Sequence, residues 1–181
     1  MINIAFCGEI GSGKSTCCSY LEDIYGMSRF AFADKMKLDL IDMGADPEHV
    51  YGQKTALSRA MLQAVGDYFT TECPDYLITP VLDGVKEAER FNSEGACIED
   101  LRRRREWSAL DKNWVLVRIV CSRPHPMCTT TVYAAQHITE NEWKELDPDF
   151  VITAAPGDIA SIYEQVDNII NKLLRRENGK R

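Results

Sequence analysis

The sequence lacks any apolar run near the ~20 residues that a membrane-spanning helix needs, so no membrane role is expected. It also lacks a paired-cysteine motif. Cys7, Cys17, Cys18, Cys73, Cys97, Cys121 and Cys128 are scattered, odd in number and never spaced as CxxC. That argues against a disulfide scaffold or a zinc site and suits a reducing cytoplasm, the host's if the source is viral. Most of these thiols read as small buried apolar groups, with Cys17 and Cys18 as candidates for oxidation. Positive charge is scarce as well: 21 Lys and Arg against 28 Asp and Glu give a net charge of −7. A polymeric nucleic acid is therefore not an expected partner, although a small anion can still be held by a local group of cations. The opening MINIAFCG has no basic segment ahead of a long apolar run, so no signal peptide is expected. Repeats, low-complexity tracts and linkers are missing too.

What is present fits one globular domain over 1–181, with 45% hydrophobic residues. Apolar runs that read as strands cover 2–7, 29–32, 96–99, 114–121 and 150–153. Between them, helical patterns cover 13–24, 33–43, 54–70, 74–92 (broken or kinked near Pro80), 101–111 and 157–175. Strands alternating with helices predict a three-layer αβα fold with a parallel sheet of about five strands. Ligands then gather beyond the C-terminal strand ends.

One motif stands at such an end. Gly8-Glu9-Ile10-Gly11-Ser12-Gly13-Lys14-Ser15 fits GxxxxGK[ST], after a strand and at the start of a helix. Glycines allow backbone geometry closed to other residues, and successive N–H groups can then surround a phosphate at the positive helix end. The expected nucleotide contacts are Gly8, Gly11, Ser12, Gly13, Lys14, Ser15 and Thr16. Lys14 should bridge the β- and γ-phosphates of ATP, and Ser15 should offer its hydroxyl to Mg²⁺. No guanine-reading NKxD segment follows, and the small size favours a small-molecule kinase.

Further segments follow in order: Phe32-Ala33-Asp34-Lys35-Met36-Lys37, Arg59-Ala60-Met61-Leu62-Gln63-Ala64-Val65-Gly66, Ile98-Glu99-Asp100-Leu101-Arg102 with Glu106, and His137-Ile138-Thr139-Glu140. With Phe150-Val151-Ile152 and Gly157-Asp158-Ile159 they cover nearly the whole chain. In order and spacing the chain resembles the phage deoxynucleoside monophosphate kinases, within the nucleoside monophosphate kinase group. The resemblance implies the P-loop NTPase fold, an acceptor-binding helical segment at about 34–93 and a lid at about 122–139. It also implies transfer of the ATP γ-phosphate to a deoxynucleoside monophosphate, with Mg²⁺. There are departures. The family's further arginine is replaced near Phe69-Thr70-Thr71, its tryptophan is missing with Tyr76 nearest, and its asparagine after the last strand is Thr153 or Ala154. These leave the acceptor base open.

Such a reaction brings a dianion up to a triphosphate, so positioned cations are required. Arg59 and then Arg102 are the expected acceptor-phosphate clamps, because a guanidinium grips phosphate with two parallel bonds. Gln63 lies one turn after Arg59 and suits a base edge, unless the pair belongs to a solvated face. Asp34 is expected at the acceptor sugar or phosphate, or else caps its helix, and Lys37 stands one turn on. Asp100 is expected near the Mg²⁺ shell, or else caps helix 101–111. Glu106, His137 and Glu140 complete the substrate set, and Arg123 is the expected transition-state cation of the lid. Lys14, Arg59, Arg102 and Arg123 thus form the expected catalytic set. Four arginines in a row, Arg102 to Arg105, turn by about 100° per residue and cannot all face one site. Those not on phosphate should pair with Glu99, Asp100 or Glu106 or be solvated. The loop 153–157 sits where this group places the donor adenine. An ionised acceptor needs no general base from the protein. Small nucleotides are the expected partners, and a homodimer stays open. Alternatives are another small-molecule P-loop kinase, for dephospho-coenzyme A or a sugar acid, and a nucleotide-dependent switch.

Overall fold

The computed structural model describes residues 1–52, 55–91, 93–122 and 141–178. Five strands form one parallel sheet: β1 (Ile2–Gly8), β2 (Ser28–Phe30), β3 (Gly95–Ile98), β4 (Trp114–Cys121) and β5 (Phe150–Ala154). Their order across the sheet is β2-β3-β1-β4-β5. Parallel neighbours need crossovers, and the helices supply them: α1 (Lys14–Tyr25), α2 (Ala33–Asp42), α3 (Pro47–Tyr51), α4 (Ala56–Glu72), α5 (Ile78–Arg90), α6 (Arg104–Ala109) and α7 (Ile159–Asn178). A 3-10 turn spans Glu142–Glu145.

β1 sits at the centre and is covered on both faces, which is why its sequence reads as a nearly unbroken apolar run. Asn3, its one buried amide, accepts the Ala96 N–H at 3.0 Å. On one face Phe6, Leu21, Val117, Ile152 and Val166 join β1, β4 and β5 to α1 and α7. On the other, Phe32, Leu62, Val81, Ile98 and Leu116 join the sheet to α2, α4 and α5. Each such side chain contributes about 1.5–3 kcal/mol on burial. The expected αβα layering is therefore the observed one. Among the described residues, no helix is long and apolar enough to cross a membrane.

Three sequence expectations are corrected. The segment 74–92 holds an unbroken helix, Ile78–Arg90, with Pro80 in its first turn. There the missing N–H has no intrahelical acceptor to lose, so the proline starts the helix rather than kinking it. The charged helix of 101–111 shrinks to Arg104–Ala109. Leu101 is fully buried in the core, and the Arg102 and Arg103 N–H groups donate to the Glu106 carboxylate, which caps the helix so that it starts only after Arg103. The second strand stops at Phe30, two residues early, because the Phe32 and Ala33 N–H groups turn to Asp100.

Candidate nucleotide-binding site

The C-terminal strand ends share one side of the sheet, and the segments that carry Lys14, Asp34, Lys37 and Asp100 follow directly from them. The loop after β1 turns directly into α1. Gly8 has φ 145°, and a Cβ on it would lie 2.4 Å from the Ile119 carbonyl oxygen of β4. Gly13 has φ 105° at the helix N-cap, and a Cβ there would meet Ile162 at 2.9 Å. Both positions therefore demand glycine. The loop they permit leaves the α1 N-terminus open toward the strand ends.

Lys14 is folded back over this loop. Its Nζ donates to the Gly8 carbonyl at 2.8 Å and the Glu9 carbonyl at 2.7 Å. The ammonium is thus held over the space that the loop encloses. Ser12 is 6% exposed, and its Oγ is buried with no hydrogen-bond partner. A buried hydroxyl without a partner is costly, and a phosphate oxygen in the loop would satisfy it. Ser15 stands exposed in the first turn of α1. Gly11 (φ 76°) and the half-buried Thr16 complete the expected set. Behind the loop, Cys17 and Cys18 are fully buried. Burial pushes the Cys17 thiol up to about 12 and raises the Cys18 thiol as well, so both are inert thiols and not oxidation sites.

Asp100, just beyond β3, accepts the Phe32 N–H at 2.8 Å through Oδ1 and the Ala33 N–H at 3.0 Å through Oδ2. It therefore caps α2 across the sheet. Neither capping alternative from the sequence holds: Asp100 does not cap the charged helix, and Asp34 does not cap its own. Burial raises the Asp100 pKa, while those two N–H bonds and the charges of Arg102 and Lys37 hold it down. Both cations thus stand in the field of this carboxylate.

Asp34 and Lys37 form an ion pair at 2.9 Å in which the lysine is nearly buried and the carboxylate half exposed. The ammonium also lies 4.8 Å from the centroid of the Tyr51 ring. Burial and the Asp34 charge raise the Tyr51 pKa, which keeps the phenol protonated. Tyr51 was missed in the sequence. It ends the short helix α3, which leaves no periodic signal.

Gln63 is half-buried on α4, on the face that continues to Asp67. Asp67 accepts from Arg103 at 2.7 Å. The backbone of Arg59 lies on α4, and its side chain is outside the described residues, as are Arg123, His137 and Glu140 and the expected lid beyond Ser122. The arginine run fans out. Arg103 takes Asp67 and Thr70, Arg104 takes Glu145, and Arg105 takes Asp75. Glu99 is paired with Arg29. Arg102 stands in the field of Asp100 as expected, and Arg104 and Arg105 are more than half exposed, while the side-chain partners of Arg103, Arg104 and Arg105 lie on α4, the following turn and the 3-10 segment. Glu106 is 5% exposed and anchors the start of α6 by accepting the Arg102 and Arg103 N–H groups at 2.8 and 2.9 Å. Burial pushes its pKa up to about 7. In the loop after β5, Gln165 of α7 binds both the N–H and the carbonyl of Thr153, which pins the end of that strand.

No protein-family model and no curated protein sequence matches the chain. Solved structures do. The chain is similar to TT1252 from Thermus thermophilus, at 16% identity and a TM-score of 0.56, over 95% of this chain and 97% of that one. It is also similar to dephospho-CoA kinase from Campylobacter jejuni, at 12% identity and a TM-score of 0.52, over 94% and 96%. Shikimate kinase from Acinetobacter baumannii, solved in complex with shikimate, aligns at 10% identity and a TM-score of 0.50, over 95% and 94%. At such identities the likeness is one of fold: the five-stranded parallel sheet with flanking helices is an arrangement shared with these structures.

Proposed function

We propose that this protein is a kinase that transfers the γ-phosphate of ATP to a deoxynucleoside 5′-monophosphate. ADP and the deoxynucleoside diphosphate are the products. The observation that carries the reading is the pairing of two half-sites on one edge of the sheet. One is the loop with Lys14 drawn over it and an unsatisfied Ser12 hydroxyl within it. The other is a group of charged side chains, Asp34, Lys37, Asp100 and Arg102, beyond β2 and β3. A site that only held a triphosphate would need the first and not the second.

The loop N–H groups and Lys14 hold the β- and γ-phosphates, where negative charge shifts during transfer. Lys37 and Arg102, with Arg59 on α4, offset the charge of the incoming phosphate. Asp34 keeps the Lys37 ammonium in place, and its exposed oxygen suits a sugar hydroxyl or a phosphate-bound water. Arg123, His137 and Glu140 belong to the segment proposed to cover the transferring group. The acceptor is ionised already, so alignment and charge do the work.

The residues present fit Mg²⁺. A P-loop ion takes few protein ligands and several phosphate and water oxygens. The exposed Ser15 hydroxyl and the Asp100 carboxylate are the groups that would hold it. When bound, the ion neutralises phosphate charge.

The test is ADP release from ATP with each deoxynucleoside monophosphate, with dephospho-coenzyme A and sugar acids assayed alongside. Stimulation by at least one monophosphate is expected. Stimulation by none of them, or only by an acceptor whose nucleophile is a hydroxyl, would overturn the reading.

A further inference from the structure

A cavity of about 180 Å³ opens between the end of α4, the start of α5, α6 and the 3-10 turn. Pro74, Leu77 and Ile78 supply apolar walls, and Glu106 and Glu142 supply two carboxyls. An apolar cavity of about 150 Å³ can hold benzene, so this one has room for a six-membered heteroaromatic ring.

The polar groups around it are not equally available. Arg103 and the Thr70 hydroxyl bond each other at 3.1 Å, and Arg103 is further neutralised by Asp67. Arg105 is held by Asp75. Glu106 differs. Both backbone N–H groups that it receives go to Oε2, and its other oxygen accepts no hydrogen bond from the described residues. A carboxyl group 95% buried thus keeps one unused acceptor, on a residue that lines a ring-sized space. The cavity also continues the α4 face that carries Gln63 and Asp67, by way of Thr70.

We infer that this cavity takes the base of the acceptor nucleotide, and that Glu106 selects bases whose six-membered ring carries an exocyclic amino group. The inference rests on the phosphotransfer reading and narrows its substrate. With Glu106 ionised, as it is above about pH 7, an amino N–H donates to its free oxygen. A ring carbonyl at the same place faces an acceptor across a desolvated gap and loses the bond. Glu142 adds to that preference and the partnered arginines do not oppose it.

The experiment compares kcat/KM, at a pH well above 7 where Glu106 is ionised, within pairs that exchange an amino for an oxo group: dCMP with dUMP, and dAMP with dIMP. The wild-type protein should favour the amino member of its preferred pair by about tenfold or more. Glu106→Gln keeps an oxygen for the Arg102 and Arg103 N–H groups and turns an amide NH₂ to the cavity. It should reverse that preference toward the oxo member. A second variant, Pro74→Trp at the exposed rim, should raise KM for the monophosphate about tenfold or more while KM for ATP stays within about twofold. Wild-type preference for the oxo member, discrimination unchanged in Glu106→Gln, or an unmoved monophosphate KM in Pro74→Trp would each overturn the assignment. Lack of stimulation by every monophosphate overturns the phosphotransfer reading and this assignment with it. Stimulation with unchanged discrimination overturns this assignment alone.

Discussion

Lys14 and Glu106 are both charged residues in buried places, and their surroundings treat them in opposite ways. Lys14 has two carbonyl acceptors, so its ammonium is stabilised ahead of any ligand. Lys14→Ala should lower ADP formation by about 100-fold or more, the scale for losing one transition-state donor. Its melting temperature should stay close to that of the wild type, and turnover near the normal rate would refute the role. Glu106 has two N–H donors, yet burial wins and its pKa rises from 4.5 to about 7. A folded-state pKa above the unfolded one means a stabilising contribution that is complete below about 4.5 and lost as pH climbs toward 7. Glu106→Gln lacks that loss. Its stability relative to the wild type should therefore grow with pH across this window, by up to about 3 kcal/mol, and level off above it. Urea melts of both proteins at several pH values check this, and a pH-independent difference would contradict the burial argument.

At the level of elements, the decisive contacts join segments far apart in sequence. Asp100 beyond β3 caps α2 after β2, using one oxygen for each N–H. Asp100→Asn replaces one acceptor with a donor that faces an N–H group. It should cost about 1–3 kcal/mol in urea unfolding, and an unchanged midpoint would show the cap to be dispensable. The P-loop, the strands and most helices were legible because each depends on neighbours within one turn or one run. The Asp100 cap was not, since a carboxylate that serves the next helix and one that serves a helix across the sheet look the same in sequence. The short α3, carrying Tyr51 over Lys37, was illegible for another reason: five residues are too few to show a period. In the arginine run the separate directions were foreseeable from helical geometry, but the partners Asp67, Asp75 and Glu145 were not.

For the whole molecule, the parallel sheet gathers the glycine-rich loop and the charged side chains beyond β2 and β3 on one edge, so a ligand bound there would couple to global stability. A ligand that binds only the folded state at about 100 times its Kd adds about 2.7 kcal/mol. MgATP should accordingly raise the melting temperature by several degrees, and Lys14→Ala should remove most of the shift. A wild-type protein that shows no shift at millimolar MgATP would refute the donor site. The net charge of −7 sits on a surface whose basic run is paired at Arg103, Arg104 and Arg105.

By itself the sequence determined the alternating fold and the GxxxxGK[ST] loop at its first strand end. Local periodicity, glycine spacing and helix-start chemistry are short-range and survive without coordinates. Tertiary structure alone decided which carboxylate caps which helix, where the arginines go, and that Glu106 keeps one oxygen free beside a cavity. Those outcomes depend on burial and on contacts across the sheet, where a shift of one hydrogen bond changes the role of a residue without changing its letter.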